Sequence, residues 1–233
     1  MVSFASSGAR FCAFDSAARR PNLGYRTVNA LNAAQVREAE GVARREVWFL
    51  HGYGSHEGDL FGLARLLPRD WTVRSLRAPR PLAHGGFAWY DLHFDAQGVR
   101  HMDATQVRES MDSLIEALEH SEAKPVLFGF SQGGIIANAL ALSRPELISG
   151  CVAVASYAPM EWFQGDVIWN PDPGLPHLAV VGDEDGVIPP ELSVPSYERA
   201  QERGATLSVQ RFRMGHGIAP DSWQAITSWL ATF

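Results

Sequence analysis

Gly129-Phe130-Ser131-Gln132-Gly133 is the run of residues in this chain best suited to covalent chemistry. The apolar stretch 126–130 leads directly into it, and a helix-forming stretch follows at 135–142. A serine between a strand and a helix, flanked by glycines two residues away on each side, is the context of a nucleophile elbow. The reason is steric. The serine takes a strained turn at a strand's C-terminal end, and the glycines keep neighbouring side chains away from it. Its Oγ then projects into a site. The N-terminus of the following helix supplies N–H groups and a positive dipole end to a developing oxyanion.

A serine hydroxyl needs a base, and the base needs a carboxylate to orient it. In strand–elbow–helix enzymes the acid and then the histidine follow the serine along the chain. Two histidines do so, His177 and His216. His177 precedes the apolar run 178–181 and enters the sheet at the end opposite the elbow. His216, in Met214-Gly215-His216-Gly217, follows the run 207–212 and therefore shares the serine's edge. The acid is left among Asp183, Glu184 and Asp185, all on the correct edge. The apolar Gly186-Val187-Ile188-Pro189 that follows favours Asp185 facing inward. A second Gly-flanked turn, Leu50-His51-Gly52-Tyr53-Gly54, closes the run 47–51. With the elbow it offers the backbone N–H groups of Tyr53 and Gln132 as an oxyanion hole, and His51 as a structural prop beneath the turn.

These residues need a scaffold, and the chain alternates short apolar runs with amphipathic ones. That pattern belongs to a mostly parallel sheet flanked by helices. Strands are expected at 47–51, 72–76, 126–130, 151–155, 178–181 and 207–212. Helices are expected at 58–67, 104–120, 133–143, 192–203 and 220–232. The helix at 104–120 has the clearest face, formed by Val107, Met111, Leu114, Ile115 and Leu118. A further edge strand is expected at 24–28. Two long connections, 77–103 and 156–177, are rich in aromatics and prolines, which marks them as ordered and functional loops. Phe87, Trp89 and Tyr90 from the first, and Trp162, Phe163 and Trp169 from the second, converge on an apolar cleft, or else half of them pack the loops onto the core.

The 233 residues suffice for one α/β domain, 1–233. Apolar residues make up 46% and charged residues 20%, with a net charge of −6, which argues against nucleic-acid binding. Cys12 and Cys151 form no disulfide framework, and Cys151 sits in an apolar run as a core residue. No apolar stretch approaches the roughly 18 residues that span a bilayer. The Ser- and Ala-rich start, with Arg10, Arg19 and Arg20, lacks the apolar core of a secretory signal, so a cytoplasmic location is expected.

Five segments together resemble the phospholipase/carboxylesterase family of α/β-hydrolases, which includes the acyl-protein thioesterases. They are Leu50 to Gly54, Arg77 to Pro81 continuing to Trp89-Tyr90-Asp91, Gly129 to Gly134, Gly182 to Pro189, and Gly215-His216-Gly217. They extend from about residue 47 to the C-terminus, and residues 1–45 stay unassigned, as an edge strand, a lid or a dimer contact. The resemblance implies an α/β-hydrolase fold with no large cap domain, and Asp185 as the acid of a Ser131–His216–Asp185 triad. It supports Tyr53 and Gln132 as oxyanion donors. It implies small acyl esters or thioesters as substrates, with no metal or organic cofactor, and the open cleft that a chain without room for a large cap would have points to short- to medium-chain esters. The dienelactone hydrolases share this layout but carry a cysteine where this chain has Ser131. A ligand receptor built on the same fold would need no triad, and Ser131 and His216 too far apart to hydrogen-bond would favour it. A protein thioesterase would need an exposed apolar patch beside the cleft.

Overall fold

The computed structural model describes residues 33–94, 100–164 and 167–232. In chain order it contains β1 (Ala33–Arg37), β2 (Arg45–Leu50), α1 (Glu57–Phe61), which runs on as a 3-10 turn (Gly62–Leu66), and β3 (Trp71–Leu76). Four short strands follow: β4 (Arg80–Pro81), β5 (Phe87–Ala88), β6 (Leu92–Phe94) and β7 (Arg100–Met102). Then come α2 (Ala104–Glu119), β8 (Val126–Phe130), α3 (Gln132–Ser143), β9 (Gly150–Val154), β10 (His177–Gly182), α4 (Pro190–Glu202), β11 (Ser208–Phe212) and α5 (Pro220–Leu230). The six strands and five helices expected between residues 47 and 232 are present with shifted ends.

Seven strands form one sheet in the order β1-β3-β2-β8-β9-β10-β11, parallel except for β1, which runs antiparallel to β3. Residue alternation decides what each face carries. Val47, Phe49, Phe128, Val152, Val154, Leu178 and Val180 point to one face, where Ile226 and Leu230 of α5 and Leu60 of α1 meet them. Trp48, Leu50, Leu127, Cys151 and Ala153 point to the other, packed by Met111 and Leu114 of α2 and by Ile136 and Leu140 of α3. Strands covered on both faces read as continuous apolar runs, and β9 and β10 are buried along their whole length. Helix α3 is buried at all twelve positions, so it is apolar on every side rather than amphipathic. Helix α2 buries Val107, Met111, Leu114 and Leu118 on its expected face, and Asp103 caps it by accepting from the Thr105 and Gln106 N–H groups.

The chain leaves β2 for β3 on one side and returns to β8 on the other. The C-terminal ends of β2 and β8 therefore flank the point where the winding reverses, where ligands bind in open α/β sheets. No large cap domain interrupts the sheet among the described residues.

One expectation changes and another is narrowed. The connection 77–103 contains two short antiparallel hairpins, β4–β5 and β6–β7, instead of loop alone. The unassigned N-terminal segment contributes the edge strand β1, which the sequence hid because Ala-Ala-Gln-Val-Arg lacks apolar alternation and leaves Val36 exposed. Arg37 anchors this strand by donating to the carbonyls of Leu67, Pro68 and Trp71. The strand expected at 24–28, and Cys12, lie outside the described residues. Cys151 is buried, and burial pushes its thiol pKa up. No helix among the described residues is long and apolar enough to cross a membrane.

Phe128 has no solvent exposure and sits edge-on to Phe49 at 5.3 Å and Trp223 at 6.0 Å. Phe128→Ala should therefore cost about 3–5 kcal/mol, read as a lower urea midpoint with an unchanged slope.

Candidate active site

β8 ends at Phe130 and α3 begins at Gln132, so a single residue must turn the chain. Ser131 does so at φ 53°, ψ −118°, a left-handed conformation that a non-glycine residue holds only where its surroundings enforce it. They do so by close approach. A Cβ on Gly129 would lie 2.3 Å from the Gly133 carbonyl oxygen, and one on Gly133 would lie 2.1 Å from that of Leu50. The Ser131 N–H donates to Val154 O at 2.9 Å, pinning the elbow to β9.

His216 lies in the loop after β11, and Asp185 in the loop after β10. The two loops are stitched together: Asp183 N–H donates to Phe212 O, and Glu184 N–H to Met214 O. The three acids separate cleanly. Asp183 pairs with Arg211 and Glu184 with Arg213 on the surface, while Asp185 turns inward with its side chain fully buried. Asp185 Oδ1 accepts from the Val187 and Ile188 N–H groups at 2.8 and 2.9 Å. Its Oδ2 lies 2.8 Å from His216 Nδ1, and His216 Nε2 lies 2.9 Å from Ser131 Oγ. A carboxylate only accepts, so His216 carries its proton on Nδ1, leaving Nε2 to accept from the serine hydroxyl. The arrangement can pass the Ser131 proton to His216 beside a buried counter-charge.

The other histidines do different work. His177 is buried at the far end of β10, 2.8 Å from Asn138 Oδ1, and burial lowers its pKa to about 4. Asn138 in turn donates to Tyr197 Oη and to Tyr157 O. His51 accepts the Ala78 N–H on Nε2, so its Nδ1 donates to Gly52 O. Both ring nitrogens are thus engaged under the turn, and burial lowers the pKa of this ring too.

A cavity of about 240 Å³ opens at Ser131 and His216. Tyr53 and Gln132 line it as well. Gln132 is the first residue of α3, and Tyr53 lies in the turn closed by Ser55 N–H to Gly52 O. Neither backbone N–H meets a protein acceptor among the described residues.

Of the six aromatics expected in the cleft, Tyr90 alone lines this cavity. Trp89 is fully buried, 5.8 Å from the His51 ring. Trp162 stands behind Tyr90, edge-on at 5.7 Å. Phe163 packs on Trp169, and Phe87 lies under the Arg77 guanidinium at 4.7 Å. These five order the loops against the core and leave the lining to other residues. The sequence reading missed Leu92, Met102, Ile135, Tyr157, Val187 and Ile188 in the lining. Leu92 and Met102 are paired across the β6–β7 hairpin, a signal that could have linked them once that hairpin was recognised. No group of His, Cys, Asp and Glu side chains suited to hold a metal ion occurs among the described residues.

The parallel sheet, the elbow at its switch point and the flanking helices define an α/β-hydrolase fold. Residues 31–233 match the phospholipase/carboxylesterase family, and the chain belongs to this family of hydrolases. It is similar to a putative hydrolase, MhqD, of Bacillus subtilis, with 24% identity over 82% of this chain and 94% of that one. Among solved structures it is similar to esterase PE8 (TM-score 0.70, 24% identity, covering 85% of this chain and 97% of that one). It is also similar to acyl-protein thioesterase 2 of Zea mays (TM-score 0.66, 20% identity, 85% and 97%).

Gly133→Ala should destabilise the protein by about 3 kcal/mol, since the new Cβ would meet backbone at 2.1 Å. Gly62→Ala, where nothing lies within 4 Å of the added Cβ, should leave the urea midpoint unchanged or raised. His177 binds a proton less readily folded than unfolded, so its share of stability is complete above about pH 6.5 and is lost as pH falls toward 4. Between pH 7 and pH 5 this amounts to about 2 kcal/mol. His177→Gln should flatten that part of the pH dependence in urea unfolding.

Proposed function

We propose that the chain is a serine carboxylesterase acting on short- to medium-chain carboxylic esters, with Ser131 as nucleophile, His216 as base and Asp185 as the acid that orients it. The observation that carries this reading is the contact chain across the cavity, Ser131 Oγ to His216 at 2.9 Å and His216 to Asp185 at 2.8 Å. Ser131 Oγ attacks the ester carbonyl as His216 Nε2 takes its proton, and Asp185 stabilises the imidazolium. The Tyr53 and Gln132 N–H groups receive the oxyanion. Collapse passes the proton to the departing alcohol. His216 then activates a water that frees the acid from Ser131. The side chains accomplish each step without a metal or organic cofactor. A cavity of about 240 Å³ is small beside the roughly 300–1,000 Å³ pockets of drug-sized ligands, which supports a short acyl group.

The partner in this reading is a small-molecule ester, with no nucleic acid and no membrane insertion, acted on in the cytoplasm by one domain spanning 1–233. A homodimer is compatible with it. A thioesterase acting on acylated proteins uses the same chemistry. Tyr53 (43% exposed) and Val187 (58% exposed), both lining the cavity, favour it as the second reading, because they give an apolar rim on which a protein could rest.

A chain-length series of p-nitrophenyl esters, run on wild type and Ser131→Ala in parallel, tests the proposal. Wild type should turn over the short esters fastest. Ser131→Ala should lose at least about 10³-fold in kcat with an unchanged circular dichroism spectrum. Undiminished turnover in the variant would remove Ser131 from the mechanism. Faster cleavage of an S-acylated peptide than of any oxygen ester would favour the thioesterase.

A further inference from the structure

The two N–H groups assigned to the oxyanion sit on different turns, one after β2 and one after β8. The ladder joining those strands ends at Leu50 opposite Gly129. Beyond that pair the sheet no longer fixes their spacing. An oxyanion hole works only when both donors come within about 2.7–3.1 Å of one oxygen, so something else must set that distance.

Residues 86–90 lie against both turns. Gly54 N–H donates to Phe87 O at 3.0 Å, and Phe87 N–H donates to Ser55 O at 2.7 Å. Trp89 Nε1–H donates to His51 O at 2.9 Å. The Tyr53 turn is thereby held on both sides of Tyr53 itself. On the other turn, Trp89 N–H donates to Gln132 Oε1 at 2.9 Å, and Gln132 Nε2 donates to Tyr90 O at 2.7 Å. Gln132 thus lines the cavity while its side chain grips this segment. Ser110 Oγ of α2 donates to the Trp89 carbonyl and ties the segment to the core. Gly86 permits the approach: at φ +73° its Cβ position falls 2.0 Å from Gly54 O, where no side chain fits.

We propose that residues 86–90 form a strap that sets the spacing of the two oxyanion donors, with Trp89 and the Gln132 side chain as positioning residues. The proposal rests on the esterase reading of the Ser131 site. It gives Trp89 a role beyond ordering its loop against the core. Trp89 acts through the turns it holds and does not touch the substrate.

The test uses the full chain and p-nitrophenyl butyrate, with wild type, Ser131→Ala, Trp89→Phe and Gln132→Met. Trp89→Phe removes the indole donor and keeps an aromatic ring. Gln132→Met keeps the backbone N–H and most of the side-chain volume, and it carries the test if the tryptophan variant fails to fold. Active sites are counted by titration with a fluorophosphonate. Per active site, kcat should fall about 10–100-fold while KM stays within about threefold. The inhibition constant of an alkyl trifluoromethyl ketone, which forms an oxyanion on the serine, should weaken by the same factor as kcat/KM. A purely structural role would lower the number of active sites and leave kcat per site unchanged, and that result overturns the strap. Turnover by wild type that Ser131→Ala retains, or no turnover by folded wild type, overturns the esterase reading and the strap with it.

Discussion

One backbone conformation organises this molecule: the left-handed turn at Ser131. A residue held at φ 53° costs energy that only its surroundings can offset, and they do so by proximity. Gly129, Gly133 and Gly134 allow β8, the start of α3, the end of β2 and Ser156 to crowd around the turn at distances no side chain would tolerate. Helix α3 consequently lies buried on every side, and the strands beside it are apolar without alternation. The apolar character of the middle of the chain follows from where this serine has to stand.

The elbow, the sheet and the histidine that meets Ser131 were legible because each leaves a local mark. A strand, a glycine-flanked serine and a helix in succession have few other meanings. The choice of His216 over His177 followed from which end of its strand each histidine occupies, and the structure places His177 at the far end, buried and bonded to Asn138. The carboxylate that meets His216 was less legible, since three adjacent carboxylates share an edge. Their separation depends on arginines 28 and 29 positions away, Arg211 beside Asp183 and Arg213 beside Glu184. Nothing in the spacing of the acids announces those partners.

The lining of the cavity was the least legible part. Aromatic residues in a long loop suit a cleft and a core equally well, and Trp89 shows why the distinction fails in sequence. Its neighbour Tyr90 reaches the cavity while Trp89 itself lies against His51, a difference set by one step of an irregular backbone. Short hairpins such as β4–β5, paired at two residues each, leave no periodicity to read. The edge strand β1 escaped for a related reason, because its hold comes from the Arg37 guanidinium on distant carbonyls and not from an apolar face.

The surface acids next to the site have a bearing on how the molecule meets its neighbours. Strand β11 ends the sheet with its outer backbone groups unpaired by any described strand, the kind of margin on which foreign strands can add. Arg211 lies within this strand, held by Asp183, and Arg213 follows it, held by Glu184. Charged side chains on an edge strand discourage edge-to-edge pairing, and Arg211 places one within β11. The acidic run that turns one carboxylate inward toward His216 thus pairs its other two with the charges at this margin of the sheet.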